Sequence, residues 1–301
     1  MRISLLIVAL ILSISTDATE KSDLAQVVMI PYMERAAVHR DFADALLKLA
    51  LEVSEDKYGP FTIIQEKHQS VMLRQLQELE KGERLSVAIS MPMAESLEKA
   101  QVIHFPVLRG LSSYRMFLVH NNNLIKINEV ESLNSLRALK VGQGPGWSTA
   151  PILENNGFQV VYSGRYSTLI PMLRADRFQL YMRSVYEIGP EYIVFKSDMP
   201  ELEIADEIAA FTYLPMYFFV SKKYPQLAER LEFGLKKTHA NGQFNDLFNQ
   251  YFEDALKLMS VKKRKMFYIE NTNIDESFFE LDKPFLLESI KALKNSQKTP
   301  K

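Results

Sequence analysis

Hydrophobic positions along the chain switch repeatedly between two periods. Residues 26–31 form a short apolar run of strand length. Over 40–58, Phe42, Ala45, Leu46, Leu49, Ala50 and Val53 recur at helical spacing until Gly59-Pro60 ends the pattern. A second strand is predicted at 61–65, then a helix with Met72, Leu76 and Leu79 on one face closed by Gly82, then a third strand at 85–90. Parallel neighbours in a sheet can be joined only by a long connection, usually a helix, so this β-α-β-α-β order predicts a parallel sheet with right-handed crossovers.

Two strands follow without a helix between them, at 102–108 and 114–120, and Asn121-Asn122-Asn123 reads as a polar break. The pattern then restarts. Helices are predicted at 129–139, 149–156 and 166–175, alternating with extended segments at 140–143, 158–162 and 178–182. After a mixed stretch containing Pro190 and Pro200, residues 211–221 read as β-rich. Leu227, Leu231 and Leu235 mark one further helix; Phe244, Leu247, Phe248, Tyr251 and Phe252 mark another. No fixed-period repeat or low-complexity segment interrupts this.

The N-terminus carries a separate signal. Arg2 precedes the apolar run 3–14, and Ser15-Thr16-Asp17-Ala18-Thr19 supplies small and polar residues at the place of a cleavage site. A dozen apolar residues fall short of the roughly 20 needed to cross a bilayer as a helix. Residues 1–18 are therefore predicted to be a removable signal peptide and the chain to be periplasmic. With no cysteine in the sequence, it can hold no disulfide and take no lipid on a cysteine after the signal.

A formal net charge of −1 gives no general attraction to nucleic acid or anionic membrane. The run Lys262-Lys263-Arg264-Lys265 reads as a solvated turn. The five histidines are scattered with no ligand spacing, no G-x-S-x-G elbow is present, and no carboxylate pair stands out. No metal, cofactor or catalytic residue is predicted, and the chain is expected to be a monomer and not an enzyme.

The best local signal is Gly142-Gln143-Gly144-Pro145-Gly146-Trp147-Ser148-Thr149, between a predicted strand and helix. Exposed backbone N–H groups and a helix dipole there favour a carboxylate or phosphate, with Ser148 or Thr149 free to cap the helix. A plain capped turn remains open beside that reading. Trp147, the only tryptophan, could stack on a ligand or cover a lobe. Tyr32 and Glu34 lie just past the first strand, where clefts of open α/β sheets form, or simply make a turn.

The segments Val102-Ile103-His104-Phe105-Pro106, Tyr114-Arg115-Met116-Phe117-Leu118-Val119, Val141-Gly142-Gln143-Gly144, Pro225-Gln226-Leu227-Ala228-Glu229-Arg230 and Asn241-Gly242-Gln243-Phe244 occur in an order that resembles family 3 of the type II periplasmic solute-binding proteins. This is the amino-acid-binding branch of ABC-importer binding proteins. Gly146-Trp147, and Arg177-Phe178 leading to Arg183 and Glu187, resemble a divergent subgroup. The resemblance implies an α/β fold of two lobes with the ligand cleft between them: lobe 1 from 22–119 and 211–285, lobe 2 from 120–210, with 286–301 expected as a frayed tail.

It also implies site roles. Arg183 stands about where amino-acid-binding relatives carry an aspartate for the ligand's ammonium, so the ligand would lack the amine or carry an extra anionic group. Pairing of Arg183 with Glu187 one turn on is the open alternative. The relatives' carboxylate-clamping arginine is replaced by Lys99 or nothing, and Arg109 and Arg115 could substitute, unless either only makes a salt bridge. The function implied is capture of a small anionic or zwitterionic metabolite for an ABC-type membrane permease. Service to a membrane sensor, or a dehydratase-like activity on the same fold, are the alternatives.

The exported chain is expected to begin near Thr19 and to be released by osmotic shock. N-terminal sequencing checks this, and an intact Met1 in the membrane fraction is the opposing result.

Overall fold

The computed structural model describes residues 25–32, 38–69 and 72–297; the expected signal peptide and Glu34 lie outside them. In the first lobe β1 (Gln26–Tyr32), α1 (Val38–Glu52), α2 (Glu55–Tyr58), β2 (Phe61–Gln69), α3 (Met72–Lys81), β3 (Val87–Ser90), α4 (Ala94–Lys99) and β4 (Ala100–Val102) follow in order. Strands β1 and β2 pair in parallel, and Ser86 ties the start of β3 to Met29 of β1 through backbone and hydroxyl hydrogen bonds.

The chain then crosses over. β5 (Tyr114–His120) leads α5 (Asn121–Asn128), α6 (Leu133–Arg137), β6 (Val141–Gln143), α7 (Thr149–Asn155), β7 (Val160–Tyr162), α8 (Leu169–Arg174), β8 (Leu180–Ser184), α9 (Val185–Lys196), β9 (Leu202–Ile204) and β10 (Ile208–Phe211). It returns as β11 (Tyr217–Ser221), α10 (Pro225–Ala240) and α11 (Gln243–Ser260), and ends in β12 (Lys265–Tyr268), α12 (Glu276–Asp282) and α13 (Glu288–Gln297).

Both lobes use one plan. β6 lies between β7 and β8, parallel to both, and β5 arrives antiparallel beside β8. β11 arrives antiparallel between β3 and β4 in the other lobe. Each lobe thus takes in one strand directly after a crossing. The carboxyl ends of the parallel strands and the first residues of the two arriving strands consequently face the same gap, where clefts form in open α/β sheets.

Hydrogen bonding moves three expected boundaries. β5, expected at the end of lobe 1, belongs to the second lobe's sheet, because Arg115 to Leu118 pair with β8. The β-rich run expected at 211–221 holds only the last residue of β10, Phe211, then the return crossing at 212–216, then β11 in a different sheet. β12 pairs in parallel with β10 and so rejoins the second sheet. Asn121-Asn122-Asn123 opens α5 where a break was expected, with His120 Nδ1 accepting from the Asn122 N–H at 3.1 Å. The expected frayed tail is instead helical through Gln297: Ile290 of α13 is fully buried and packs where Gly110, in the left-handed region at φ 78°, leaves room.

Packing explains the pairing of the elements. Gly234 of α10 lies so close to α1 that a Cβ there would come within 2.1 Å of the Ala50 carbonyl oxygen. Arg230, also on α10 and fully buried, donates to the Leu51 and Gly59 carbonyls at 3.0 and 2.9 Å and fastens the end of α1 and of α2. β5 shows strand alternation cleanly: Met116 and Leu118 enter one core, while Phe117 and Val119 enter a second core on the other sheet face.

At the crossings, Asp282 is fully buried and accepts hydrogen bonds from the hydroxyls of Tyr213 and Tyr217. Burial raises its carboxyl to about 7 although both tyrosines pull the other way. A raised folded-state pKa gives stability that is complete below the unfolded value of about 3.9 and is lost as pH climbs through the folded one. We therefore expect stability to fall by a few kcal/mol between pH 4 and pH 7 from this group. Asp282→Asn should narrow that loss, so thermal melts should favour the variant more at pH 8 than at pH 5.

Candidate functional site

A cleft of about 1020 Å³ opens where the strand ends meet. Lobe 1 contributes His39 and Arg40 at the start of α1, Met91 and Met93 after β3, and Met216 just before β11. From the second sheet come Arg115 at the head of β5, Trp147 to Thr149 after β6, and Met182, Arg183, Tyr186 and Glu187 around the β8–α9 junction. The register sets Arg115 opposite Ser184, which brings it to the first turn of α9.

Around that turn lies a buried charge cluster. Arg183 Nε donates to Glu191 Oε2 at 2.7 Å, and its Nη2 donates to Glu191 Oε1 at 2.5 Å and Glu187 Oε1 at 2.7 Å. Glu187 Oε2 accepts from the Ser184 N–H at 3.0 Å and hydroxyl at 2.6 Å, closing a capping box at the helix start. Tyr166 donates its hydroxyl to Glu191 at 2.8 Å. The Arg183 guanidinium lies 4.9 Å from the Trp147 ring centre and 5.4 Å from that of Tyr181, a cation–π arrangement. Burial pushes the Glu187 carboxyl up, but Arg183 and then Arg115 outweigh it and hold it at about 2. For Glu191 burial prevails, and its carboxyl lies above the usual range.

Arg115 is different. Only 5% of it is exposed, its Nη1 stands 3.6 Å from Glu187 Oε2, beyond a good hydrogen bond, and its Nε has no hydrogen-bond partner among the described residues. Burial lowers its pKa, yet a guanidinium stays protonated in proteins. The cleft wall therefore holds a buried cation with donor capacity left over. Across from it His39 packs on Tyr186 at 5.4 Å, its Nδ1 buried without a partner among the described residues. Burial brings the imidazole down to about 4 despite Glu187, so it is neutral at pH 7.

Five expected site residues meet here: Arg115, Trp147, Ser148, Thr149 and Arg183 all line the cleft. Tyr32 ends β1 and is not among the described residues that line it. Arg109 is turned away. At φ 50° it donates from Nε to the Phe285 carbonyl at 3.3 Å and covers Phe248, holding the C-terminal segment to the crossing. Lys99 pairs with Glu95 at 2.7 Å and is absent from the lining. Neither Ser148 nor Thr149 caps α7. Ser148 has helical φ and ψ and reaches across the cleft to Met91 Sδ at 2.8 Å, while the Thr149 hydroxyl donates to Gln143 Oε1 at 2.6 Å. The glycine turn serves the indole: a Cβ on Gly144 would strike the Trp147 ring at 2.6 Å.

His39, Arg40, the methionines, Tyr186 and Glu191 were not singled out from sequence. Only the i, i+4 relation of Arg183 to Glu187, continued one turn to Glu191, was there to read. Among the described residues no group of three His, Cys, Asp or Glu side chains could hold a metal ion, and no helix is long and apolar enough to cross a membrane.

Because removing one partner of a buried ion cluster strands the others, Arg183→Met should cost about 3–5 kcal/mol at pH 7. The loss should shrink toward pH 4 as the stranded carboxylates take up protons. Denaturant unfolding at the two pH values checks this, and an unchanged midpoint at pH 7 is the opposing result.

No protein-family model matches the sequence, and no curated protein does. Solved structures do resemble the fold. An ancestral arginine-binding protein bound to arginine gives a TM-score of 0.54 at 14% identity, over 75% of this chain and 98% of that one. A structure from work on glutathione import in Gram-positive bacteria via GshT and the cystine ABC importer TcyBC of Streptococcus mutans gives 0.54 at 14%, over 77% and 97%. The ancestral amino-acid-binding protein AncCDT-1, a precursor of cyclohexadienyl dehydratase, gives 0.52 at 14%, over 75% and 95%. With two lobes of one strand plan and a cleft at their facing ends, the chain has the two-lobed type II periplasmic-binding-protein fold.

Proposed function

We propose that this chain is a periplasmic solute-binding protein that captures a small anionic or zwitterionic metabolite between its lobes and delivers it to an ABC-type importer. The observation that carries the proposal is the Arg115 guanidinium, 95% removed from solvent on the wall of an interlobe cleft and left 3.6 Å from Glu187, beyond a good hydrogen bond. A buried donor of this kind gains most from a charged acceptor, and a carboxylate matches the guanidinium fork. The structural neighbours support the capture role, since they include a binding protein holding arginine and one connected with an ABC importer.

Binding without covalent chemistry agrees with the state of the ionisable groups. A general acid or base works best with a pKa near the operating pH. Glu187 is instead held ionised at about 2 by Arg183 and Arg115 against the effect of burial, and His39 is held neutral at about 4 by burial. Residues 1–18 would direct the chain to the periplasm.

Calorimetry and thermal-shift measurements with carboxylates, zwitterionic amino acids and cationic amines test the proposal. An anion or zwitterion at about 100 times its dissociation constant should add about 2.7 kcal/mol and raise the melting temperature by several degrees. Trp147 emission should shift with binding, because the indole stands in the cleft wall. Arg115→Lys should keep the fold but weaken binding at least tenfold, since the forked donor is gone. Amines alone binding, or an anion bound equally well by Arg115→Lys and Arg115→Ala, overturns the assignment.

A further inference from the structure

We infer that the cleft selects a carboxylate that has no ammonium group and carries an apolar body, an aromatic or branched-chain organic acid in preference to the matching amino acid. The inference rests on the reading that Arg115 holds an anion in this cleft, and it narrows the ligand class.

The first argument concerns the ammonium. An –NH₃⁺ group brings three donors and no acceptor, and out of water it needs carboxylate or carbonyl oxygens around it. Among the described residues that line the cleft, the carboxylates are Glu95 and Glu187. Glu187 has one oxygen on Arg183 and the other on the Ser184 N–H and hydroxyl, with Arg115 beyond. Glu95 is bound to Lys99 at 2.7 Å. Glu191, the carboxylate next in line, takes the fork of Arg183 and the hydroxyl of Tyr166. For an ammonium to claim Glu187 or Glu191, Arg183 would have to surrender a partner while remaining buried, which is unfavourable. The ligand carboxylate meets no such obstacle, because the Arg115 guanidinium lines the cleft and makes no close hydrogen bond to Glu187.

The second argument concerns the rest of the ligand. Met91, Met93, Met182 and Met216 reach the cleft from three segments of chain, and Leu76 and Ile89 join them. Methionine is unbranched and polarisable, shapes itself around irregular apolar groups and makes favourable sulfur–aromatic contacts. At about 1020 Å³ the cleft has room for such a body beside the carboxylate. Met182, Met216, Leu76 and Ile89 are buried and form the apolar floor, while Met91 and Met93 are half-buried, and a small polar solute would leave those two facing water it had failed to displace.

The test is a matched ligand series titrated calorimetrically into the exported chain: 3-phenylpropanoate against L-phenylalanine, 4-methylpentanoate against L-leucine, and propanoate and succinate as small acids. We expect each apolar acid to bind at least tenfold tighter than its amino acid, about 1.4 kcal/mol, and at least tenfold tighter than propanoate or succinate. Equal or tighter binding of the amino acids overturns the exclusion of the ammonium, and equal binding of the small acids overturns the apolar body; in both cases the capture of an anion by Arg115 still stands. If no acid and no amino acid binds, the capture reading itself falls with the inference.

Discussion

Arg183 cannot be buried alone. A guanidinium out of water needs counter-charge in its plane, and this chain supplies it from one helix, with Glu187 and Glu191 four residues apart on α9 both turned to the end of β8. That demand fixes much else. It sets the start of α9, because the same Glu187 closes the capping box on Ser184. It sets the aromatic surroundings, because Trp147 and Tyr181 present ring faces to the cation and stack on each other at 6.3 Å. And it leaves Arg115 under-partnered, because Glu187 gives its close hydrogen bonds to Arg183 and Ser184. The site's capacity for a ligand is thus what remains after an internal ionic cluster has been satisfied.

The C-terminal segment bears on the same cleft from behind. Leu287 donates its N–H to the Arg109 carbonyl, Asn271 reaches the Tyr213 carbonyl, and Asn273 reaches that of Ser148 beside the cleft. Both crossings and the loop after β6 therefore contact one stretch of chain. Any relative motion of the lobes about the crossings must carry or break these contacts.

Much of the architecture could be read from the sequence, because long segments with one clear period carry their own evidence. The alternation of strands and helices, the restart after residue 120 and the aromatic face of α11 are of this kind. The losses have physical causes. α9 was hidden because Pro190 inside it reads as a break, although five residues precede it in the helix. The run at 211–221 is mostly apolar, and nothing in its composition tells that Phe211 ends one strand while 217–221 form another in a different sheet. In the site, Arg109 and Arg115 looked equivalent because they flank the same strand start. A left-handed backbone at Arg109 sends one side chain to the Phe285 carbonyl and the Phe248 ring, while strand pairing carries the other into the cleft. The Arg183–Glu187 pair was readable because it is local; Arg115's approach to Glu187 was not, because it depends on the antiparallel arrival of β5.

The methionines show why composition alone could not describe the cleft. Met91 and Met93 follow β3, Met182 ends within β8, and Met216 precedes β11, so their convergence depends on the crossings and on no sequence spacing. Strand ends gather polar groups because backbone N–H groups and helix starts are exposed there. This cleft combines such a polar end, with Arg115 and the α9 junction, and a methionine lining assembled from three separate segments. An amphipathic solute is the kind of molecule that satisfies both at once: its charge takes up the donor capacity the ionic cluster left over, and its body displaces water from the thioethers.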